Sequence, residues 1–347
     1  MQGVLTVPHP GVRVRAAPFH PGFAAVNVPL APGFILQRGL DNMPAALTGG
    51  AVAIGNFDGV HLGHKAVLAA ARDAGKPALA LTFEPHPRSF FRPEQPIPRL
   101  TPPREKRLLL SHEALEGMVE LTFDRALASL TAEEFVRKVL VEALEAEAIV
   151  IGWDFRFGKD RGGSPAFLEE AGPRLGFKVR IIQPFGGKEP VSSSAIRDLL
   201  RAGEIAKANR LLGHRWFVMG EVIEGEKRGR ELGYPTANMA LPPETPLVEG
   251  VYAVRVSFDG AIRDGVASFG RRPQFHQDGT PLLESYIFDF KGDLYGKTLG
   301  VEFIARLRGE AKFASVEELV SQMHRDAIEA RKIASGPIDP AAPSAIG

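Results

Sequence analysis

The chain has no cysteine in 347 residues. This excludes a disulfide scaffold, thiolate zinc sites, iron–sulfur ligation and a cysteine nucleophile. It fits a reducing compartment, and a cytoplasmic location is expected. No apolar run approaches the roughly eighteen residues of a membrane span, so no membrane partner is expected. A charge excess is missing too: 42 basic residues face 41 acidic ones, for a formal net charge of +1. A chain so balanced does not advertise a polyanion, and no nucleic-acid partner is expected. The composition names no protein partner.

Hydrophobic residues at 44% and charged residues at 24% are those of a folded globular protein. The length corresponds to about two domains of roughly 150 residues. Glycine (37) and proline (28) are abundant and mark the divisions. Residues 1–33 hold six prolines, Arg13 and Arg15, no acid and no serine. They lack the apolar core of a secretory signal and the serines of a transit peptide, and are read as a flexible extension. Residues 336–347 (GPIDPAAPSAIG) are read as a flexible tail. The expected domains between them are 34–205 and 206–335.

In the first of these, short apolar strands at 51–54, 78–83, 118–122, 148–151 and 178–182 alternate with helical stretches at 65–73, 104–115 and 131–144. The last helix opens on a capping box, Thr131 with Glu134. This alternation implies a parallel sheet with helices on both faces, whose ligands sit at the carboxyl ends of the strands. The loop after the first of these strands carries Gly55, Asn56, Phe57, Asp58, Gly59, His61, Gly63 and His64. His61 and His64 are one turn apart at a helix start, where free N–H groups favour phosphate. Gly63 removes a side chain where a ligand would approach. Such a loop stabilises a phosphoryl or nucleotidyl transition state, or is a glycine-rich βα turn with two incidental histidines. Spacing alone leaves both open.

After Trp216 the pattern changes to strand candidates at Val222, 251–258, 262–269, 282–290 and 299–304, with Asp259-Gly260, Asp278-Gly279 and Gly292-Asp293 at turns. A helix capped by Ser315 and Glu318 runs to about Ile333. Short strands closed by one helix suggest an antiparallel barrel. Gly225, Lys227, Arg228, Gly229, Arg230 and Gly233 read as a basic flap suited to phosphates, or as a solvated hairpin. Thr236 and Asn238, two apart in an extended segment, offer neutral oxygens to a hard cation such as Mg²⁺.

The segment 55–64 (GNFDGVHLGH) resembles the H-x-G-H signature of the nucleotidyltransferase superfamily, in the form used by bacterial FAD synthetases. Three further segments resemble that family in order: 82–87 (TFEPHP), with His86; 152–158 (GWDFRFG), with Asp154 and Arg156; and 192–197 (SSSAIR). In the last, Ser192, Ser193 and Ser194 precede an expected helix and Arg197 supplies countercharge to phosphate; an ordinary helix cap is the other reading. Segment 225–238 resembles the riboflavin kinase signature. The resemblance implies a Rossmann-like nucleotidyltransferase domain followed by a riboflavin-kinase-type β-barrel with a terminal helix. It implies a bifunctional enzyme that phosphorylates riboflavin to FMN with ATP, then adenylylates FMN to FAD with release of pyrophosphate. Glu284 falls where that family has its catalytic glutamate, and Arg308 where an arginine helps hold nucleotide or flavin. Mg²⁺ is the implied cofactor, and ATP, riboflavin and FMN are the implied substrates. Two residues depart from the pattern: Ser268 replaces an asparagine, and Tyr286 a histidine. Another H-x-G-H enzyme such as a tRNA ligase, a monofunctional adenylyltransferase and a flavin carrier are the alternatives. The first lacks its KMSKS-like loop here. Gly296-Lys297-Thr298 is not a P-loop, because the glycine required five residues earlier is Lys291.

Overall fold

The computed structural model describes residues 30–346 apart from 187–189, 226–228, 230, 231 and 272–280. The expected extension lies almost wholly outside these residues, as do Lys227, Arg228, Arg230 and the Asp278-Gly279 turn. Six parallel strands form the first sheet: β1 (Ile35–Arg38), β2 (Ala51–Ile54), β3 (Ala78–Glu84), β4 (Gly117–Thr122), β5 (Ala148–Gly152) and β6 (Lys178–Ile182). Their order is β1-β4-β3-β2-β5-β6. Side-chain size divides its two faces. Ala51, Ala53, Ala78 and Ala80 share a cluster with Leu68 and Ala71 of α1 (Leu62–Ala74), so the helix approaches closely. Val52, Ile54, Leu79 and Leu81 face the other way, onto Val136, Val139 and Leu140. Burial on both faces is what a wholly apolar strand signals.

Some elements differ from the sequence expectation. Strand β1 was not expected, because Gln37 and Arg38 break its apolar run at the sheet edge. The helix expected over 104–115 is α2 (Pro103–Ser111); Ser111 Oγ and His112 Nδ1 both donate to the Leu108 carbonyl (2.7 and 2.9 Å) and end it. The capping box at Thr131 and Glu134 is present, but after Ala132–Phe135 the helix widens to π geometry over Val136–Ala143. A further helix, α3 (Pro165–Leu175), leads into β6. Helices α4 (Ser193–Ala202) and α5 (Ile205–Leu212) follow; the second was read only as a boundary.

The second sheet is antiparallel: β7 (Phe217–Glu221), β8 (Ala237–Ala240), β9 (Gly250–Phe258), β10 (Ala261–Arg271), β11 (Pro281–Ile287) and β12 (Thr298–Arg308), in the order β7-β12-β9-β10-β11-β8. An Ile223–Asn238 bridge brings β8 back beside the end of β7 and nearly closes the barrel. Val222 lies just past β7, and β11 stops at Ile287 because Phe288 and Asp289 turn, with Asp289 at φ +54°. The β9–β10 hairpin uses Asp259 and Gly260, both at positive φ (49° and 73°), as a tight two-residue turn requires. Helix α6 (Val316–Ala334), capped by Ser315, packs on β9 and β10.

The barrel core extends to α4 and α5: Ile196, Leu200, Ile205, Ala208 and Leu212 join Trp216, Tyr252 and Phe303 in one cluster. Trp216 Nε1 donates to the Leu100 carbonyl (2.8 Å) and Met219 N to Glu105 Oε1 (3.0 Å), tying the barrel to the parallel-sheet unit. The tail expected to be flexible is docked through Ile346, with Ala342 only 4% exposed. Its prolines carry no N–H groups to satisfy, and Glu302 accepts the amides of Ala345 and Ile346.

Asn209 of α5 is buried, donating to the Phe303 carbonyl (2.9 Å) and accepting from Trp216 N (2.8 Å). Replacing it by alanine strands a buried acceptor and a buried donor. Asn209→Ala is expected to cost about 3 kcal/mol in urea unfolding; a loss below about 1 kcal/mol would mean that water serves both groups equally well.

Candidate active sites

The strands on either side of β2 are reached in opposite directions along the chain: β3 and β4 lie to one side, β5 and β6 to the other. Ligands of such sheets bind at the carboxyl edge where the order reverses. There the structure has a cleft of about 1020 Å³. It is lined by all of Gly55, Asn56, Phe57, Asp58, His61, Gly63, His64, His86, Asp154, Arg156, Ser192, Ser193, Ser194 and Arg197.

The loop after β2 is strained. Phe57 and Val60 have φ of +50° and +40°, in a region that bulky residues avoid, at about 1–3 kcal/mol each. His61 then caps α1, its Nδ1 accepting from His64 N (3.3 Å). That bond leaves the proton of neutral His61 on Nε2. The His61 and His64 rings stack at 3.6 Å, and Phe57 meets His64 edge-on at 5.4 Å. Gly63 makes room for the His61 ring, which lies 3.2 Å from where a Cβ would stand. Burial pushes His61 down to about 4, with Asp58 resisting. Burial, then His61 and Lys106, hold His64 well below its ordinary value. Both are neutral at pH 7, and His64 Nδ1 has no hydrogen-bond partner among the described residues. His86 caps a short helix after β3, its Nδ1 accepting from Arg88 N (3.1 Å), and burial lowers it to about 4.

Behind these rings runs an alternating chain of buried charges that sequence reasoning missed. Lys106 Nζ meets Glu84 (2.5 Å), Glu84 takes both Nη atoms of Arg99 (3.0 and 2.9 Å), Arg99 Nε reaches Asp58 (3.3 Å), and Asp58 binds Arg197. Burial alone would raise Glu84, but Lys106 and Arg99 hold it at about 2. Three cations and two anions leave one positive charge in excess. Lys106 also donates to Thr82 Oγ1 (3.1 Å), which donates to the Asn56 carbonyl (3.3 Å) of the strained loop. The signal was available: Lys106 shares a helix face with Leu109 and Leu110, three and four residues on, which places it inside.

Two of the cleft-lining residues, Asp58 and Arg197, are bonded within the wall. Asp58 is 2% exposed and accepts from Leu100 N (3.0 Å), Thr101 N (3.0 Å) and the two arginines. Arg197 is held by Asp58 and by the Pro98 carbonyl (2.6 Å). Both organise the cleft wall. Ser192 is the cap of α4, and Ser193 lies within the helix, bonded to the Asp58 carbonyl (2.8 Å). Ser192 and Ser194 are exposed at the helix start, and so are Asp154 and Arg156 in the loop after β5. The cleft rim also carries exposed Phe91 (64%), Trp153 (51%) and Phe185 (46%).

On the barrel, Leu283 and Ile287 of β11 face the core, which turns Glu284 outward. Its register partners are Asn238 on β8 and Ser268 on β10, so the three make one row. A Cβ on Gly225 would stand 2.1 Å from Asn238 Nδ2, so the Asn238 amide fills the notch that this glycine leaves. A Cβ on Gly229 would lie 2.3 Å from the Tyr234 carbonyl and 3.6 Å from Thr236 Oγ1. Gly233 takes φ +83° to turn the chain toward Thr236. Tyr286, the second departure, packs on Tyr234 (4.9 Å), whose hydroxyl meets His324 Nδ1 (2.8 Å). Arg308, expected at the ligand, is paired with Asp326 of α6 through Nε and Nη2 (2.7–3.1 Å). The pair ties β12 to α6.

Sequence profiles of two families match the chain: FAD synthetase over residues 43–195 and riboflavin kinase over 212–334. Among curated proteins, the bifunctional riboflavin kinase/FMN adenylyltransferase of Pseudomonas fluorescens is 41% identical over 306 residues, covering 86% of this chain and 98% of that protein. Those of Haemophilus influenzae (39%, covering 84% and 96%) and Escherichia coli K12 (38%, covering 86% and 97%) are similar. A solved structure described as a macrolide-efflux protein from Streptococcus pneumoniae aligns at 31% identity with a TM-score of 0.75, covering 86% of this chain and 99% of that one. Among the described residues here no helix is long and apolar enough to cross a membrane. With the sheet unit and the barrel each matched in turn, and relatives aligned over nearly their whole length, the chain belongs to the bifunctional riboflavin kinase/FMN adenylyltransferase family.

Proposed function

We propose that the barrel transfers the γ-phosphoryl group of ATP to the 5′-hydroxyl of riboflavin, and that the parallel-sheet unit transfers AMP from a second ATP to the resulting FMN. The observation that carries this reading is the convergence of neutral His61 and His64, the α4 start and the aromatic rim on one cleft, at a distinct place from the Asn238–Glu284–Ser268 row. The division at 34–205 and 206–335 follows the same line, and the two family matches fall inside it.

In the cleft, a phosphate oxygen of FMN attacks the α-phosphorus of ATP and the bond to the bridging oxygen breaks, releasing pyrophosphate. The Nε2–H of His61 and an N–H of His64 donate to phosphate oxygens as charge moves toward the leaving group. Being neutral, they act as donors without adding charge to the free site. The excess positive charge behind them and the free N–H groups of α4, with Ser192 and Ser194, favour the pyrophosphate. Phe91, Trp153 and Phe185 give flat apolar surface to the ring systems. Asp154 and Arg156 stand ready at the same rim for polar atoms of those rings.

On the barrel, Glu284 orients the riboflavin hydroxyl and takes its proton while the γ-phosphoryl group transfers. The glycine-rich segment around Gly225, Gly229 and Gly233, with Lys227, covers the phosphates. Thr236 and Asn238 fit Mg²⁺: the Gly225 notch holds the Asn238 amide beside Glu284, with hard oxygens on one side of the strand. When bound, Mg²⁺ neutralises charge on the phosphates. In the cleft the described residues include no group of three or more acids and histidines for a metal, so a cation there would be held chiefly by the phosphates. ATP, riboflavin and FMN are the partners in this reading, and the cytoplasm is its location.

Incubation of the protein with riboflavin, ATP and Mg²⁺, followed by chromatography, is expected to yield FMN first and FAD later. His64→Ala should cut FAD formation by roughly 10²–10³-fold and leave FMN formation intact. Glu284→Gln should do the reverse, with FAD still made from supplied FMN. If riboflavin is left unchanged while FMN is converted, the kinase half of the reading fails and the departures at Ser268 and Tyr286 explain it.

Stability should depend on pH in a set direction. His61, His64, His86 and His214 are all lowered by burial, so between about pH 6.5 and 4 the unfolded chain takes up protons that the folded one refuses. Stability is therefore full above 6.5 and falls as the pH drops. Glu105 opposes this, since burial raises its carboxyl to about 7 from 4.5. A net difference of about three protons gives a slope of up to ~4 kcal/mol per pH unit near pH 5.5. Urea unfolding from pH 7.5 to 5 measures it, and a flat profile would mean that the histidines accept protons in place.

A further inference from the structure

The riboflavin kinase match ends at residue 334, and nothing in the composition of the segment beyond it favours order. Yet the chain from Asp339 to Ile346 is anchored to the barrel and the helix before it. Arg210 pairs with Asp339 (2.8 Å), and Arg215 N donates to the Pro343 carbonyl (3.0 Å). The receptor for its end is Glu302 on β12, whose side chain is 0% exposed. Its Oε1 accepts the Ser344 hydroxyl (2.8 Å), the Ala345 amide and the Ile346 amide (3.2 Å), and Arg215 lies 3.6 Å from its Oε2. A buried carboxylate without donors is unfavourable, and here three donors come from this segment. Next to it, Gly300 leaves the space that Ile346 fills: a Cβ there would stand 2.6 Å from Ile346 Cδ1.

The segment also touches both catalytic units. Ala345 and Ile346 pack on an apolar cluster that contains Leu108 and Leu109 of α2 together with Phe217 of β7. They bound a cavity of about 420 Å³ whose other walls include Lys65 and His112 from one unit and Met219 and Ser257 from the other. Glu105, which accepts from Met219 N across the same junction, lies one helical turn before Leu108 and Leu109.

We propose that residues 339–346 are a built-in peptide ligand for the groove around Glu302 and Gly300, and that they clamp the adenylyl-transfer unit and the barrel together. Neither half of the bond is generic: the groove supplies a buried acceptor and a side-chain-sized hole, and the segment supplies three donors and an isoleucine at the matching spacing.

Hydrogen exchange read by mass spectrometry on the full chain tests this. Amides of 342–346 should exchange at least roughly tenfold more slowly than in the free peptide PIDPAAPSAIG. In Glu302→Gln this protection should fall about tenfold, because the charged acceptor is lost. The Met219 amide should loosen with it, while β9 to β11 stay protected. Fast exchange of 342–346 in the unaltered chain overturns the docking. Release of the segment with no change at Met219 overturns the clamp. If β9 to β11 also lose protection, Glu302→Gln has damaged the barrel; Gly300→Ala, which displaces Ile346 and the Ser257 hydroxyl without removing a charge, then gives the same two readings.

Discussion

Asp58 holds the loop after β2 in a shape that its own residues resist. Phe57 and Val60 sit at positive φ, and a loop of that kind relaxes unless its surroundings fix it. The Asp58 carboxylate does so by collecting two backbone amides and two guanidinium groups from Leu100, Thr101, Arg99 and Arg197. These partners come from the segment after β3 and from α4, so one buried side chain joins three separate parts of the cleft wall. Its neighbours meet the cleft: the stacked histidines begin three residues later, and Ser193 bonds to the Asp58 carbonyl itself.

The two sites use charge differently. In the cleft, cations lie behind the surface and neutral imidazoles form it, so a polyphosphate meets hydrogen-bond donors backed by a positive field. On the barrel, a carboxylate stands in register between two neutral polar residues, Asn238 and Ser268. The nearly balanced net charge of the whole chain hides both arrangements, because each is local.

The alternation of apolar strands and helices, the histidine loop, the capping box at Thr131, the Ser315 cap and the change to an antiparallel pattern after Trp216 were legible in the sequence. Each rests on short-range periodicity or on one turn of helix. Partners far apart in the chain were not legible. Nothing near Arg308 announces that Asp326 will take its guanidinium, and nothing near Asp58 names Arg99 or Arg197, 41 and 139 residues away. The tail misled for the same reason: its order comes from Glu302, not from its own composition. Lys106 is the instructive exception, since its helical spacing with Leu109 and Leu110 was there to be read.

The row Asn238–Glu284–Ser268 owes its alignment to strand register, and register in a β-sheet has a period of two. Residues 237 and 239 point into the barrel core as Ala237 and Met239. Inserting one residue at the start of β8 would therefore turn Ala237 out beside Glu284 and drive Asn238 into the core. The loop from Gly225 to Thr236 can lengthen or shorten in its descendants, but any change carried into β8 itself is tolerable only in steps of two.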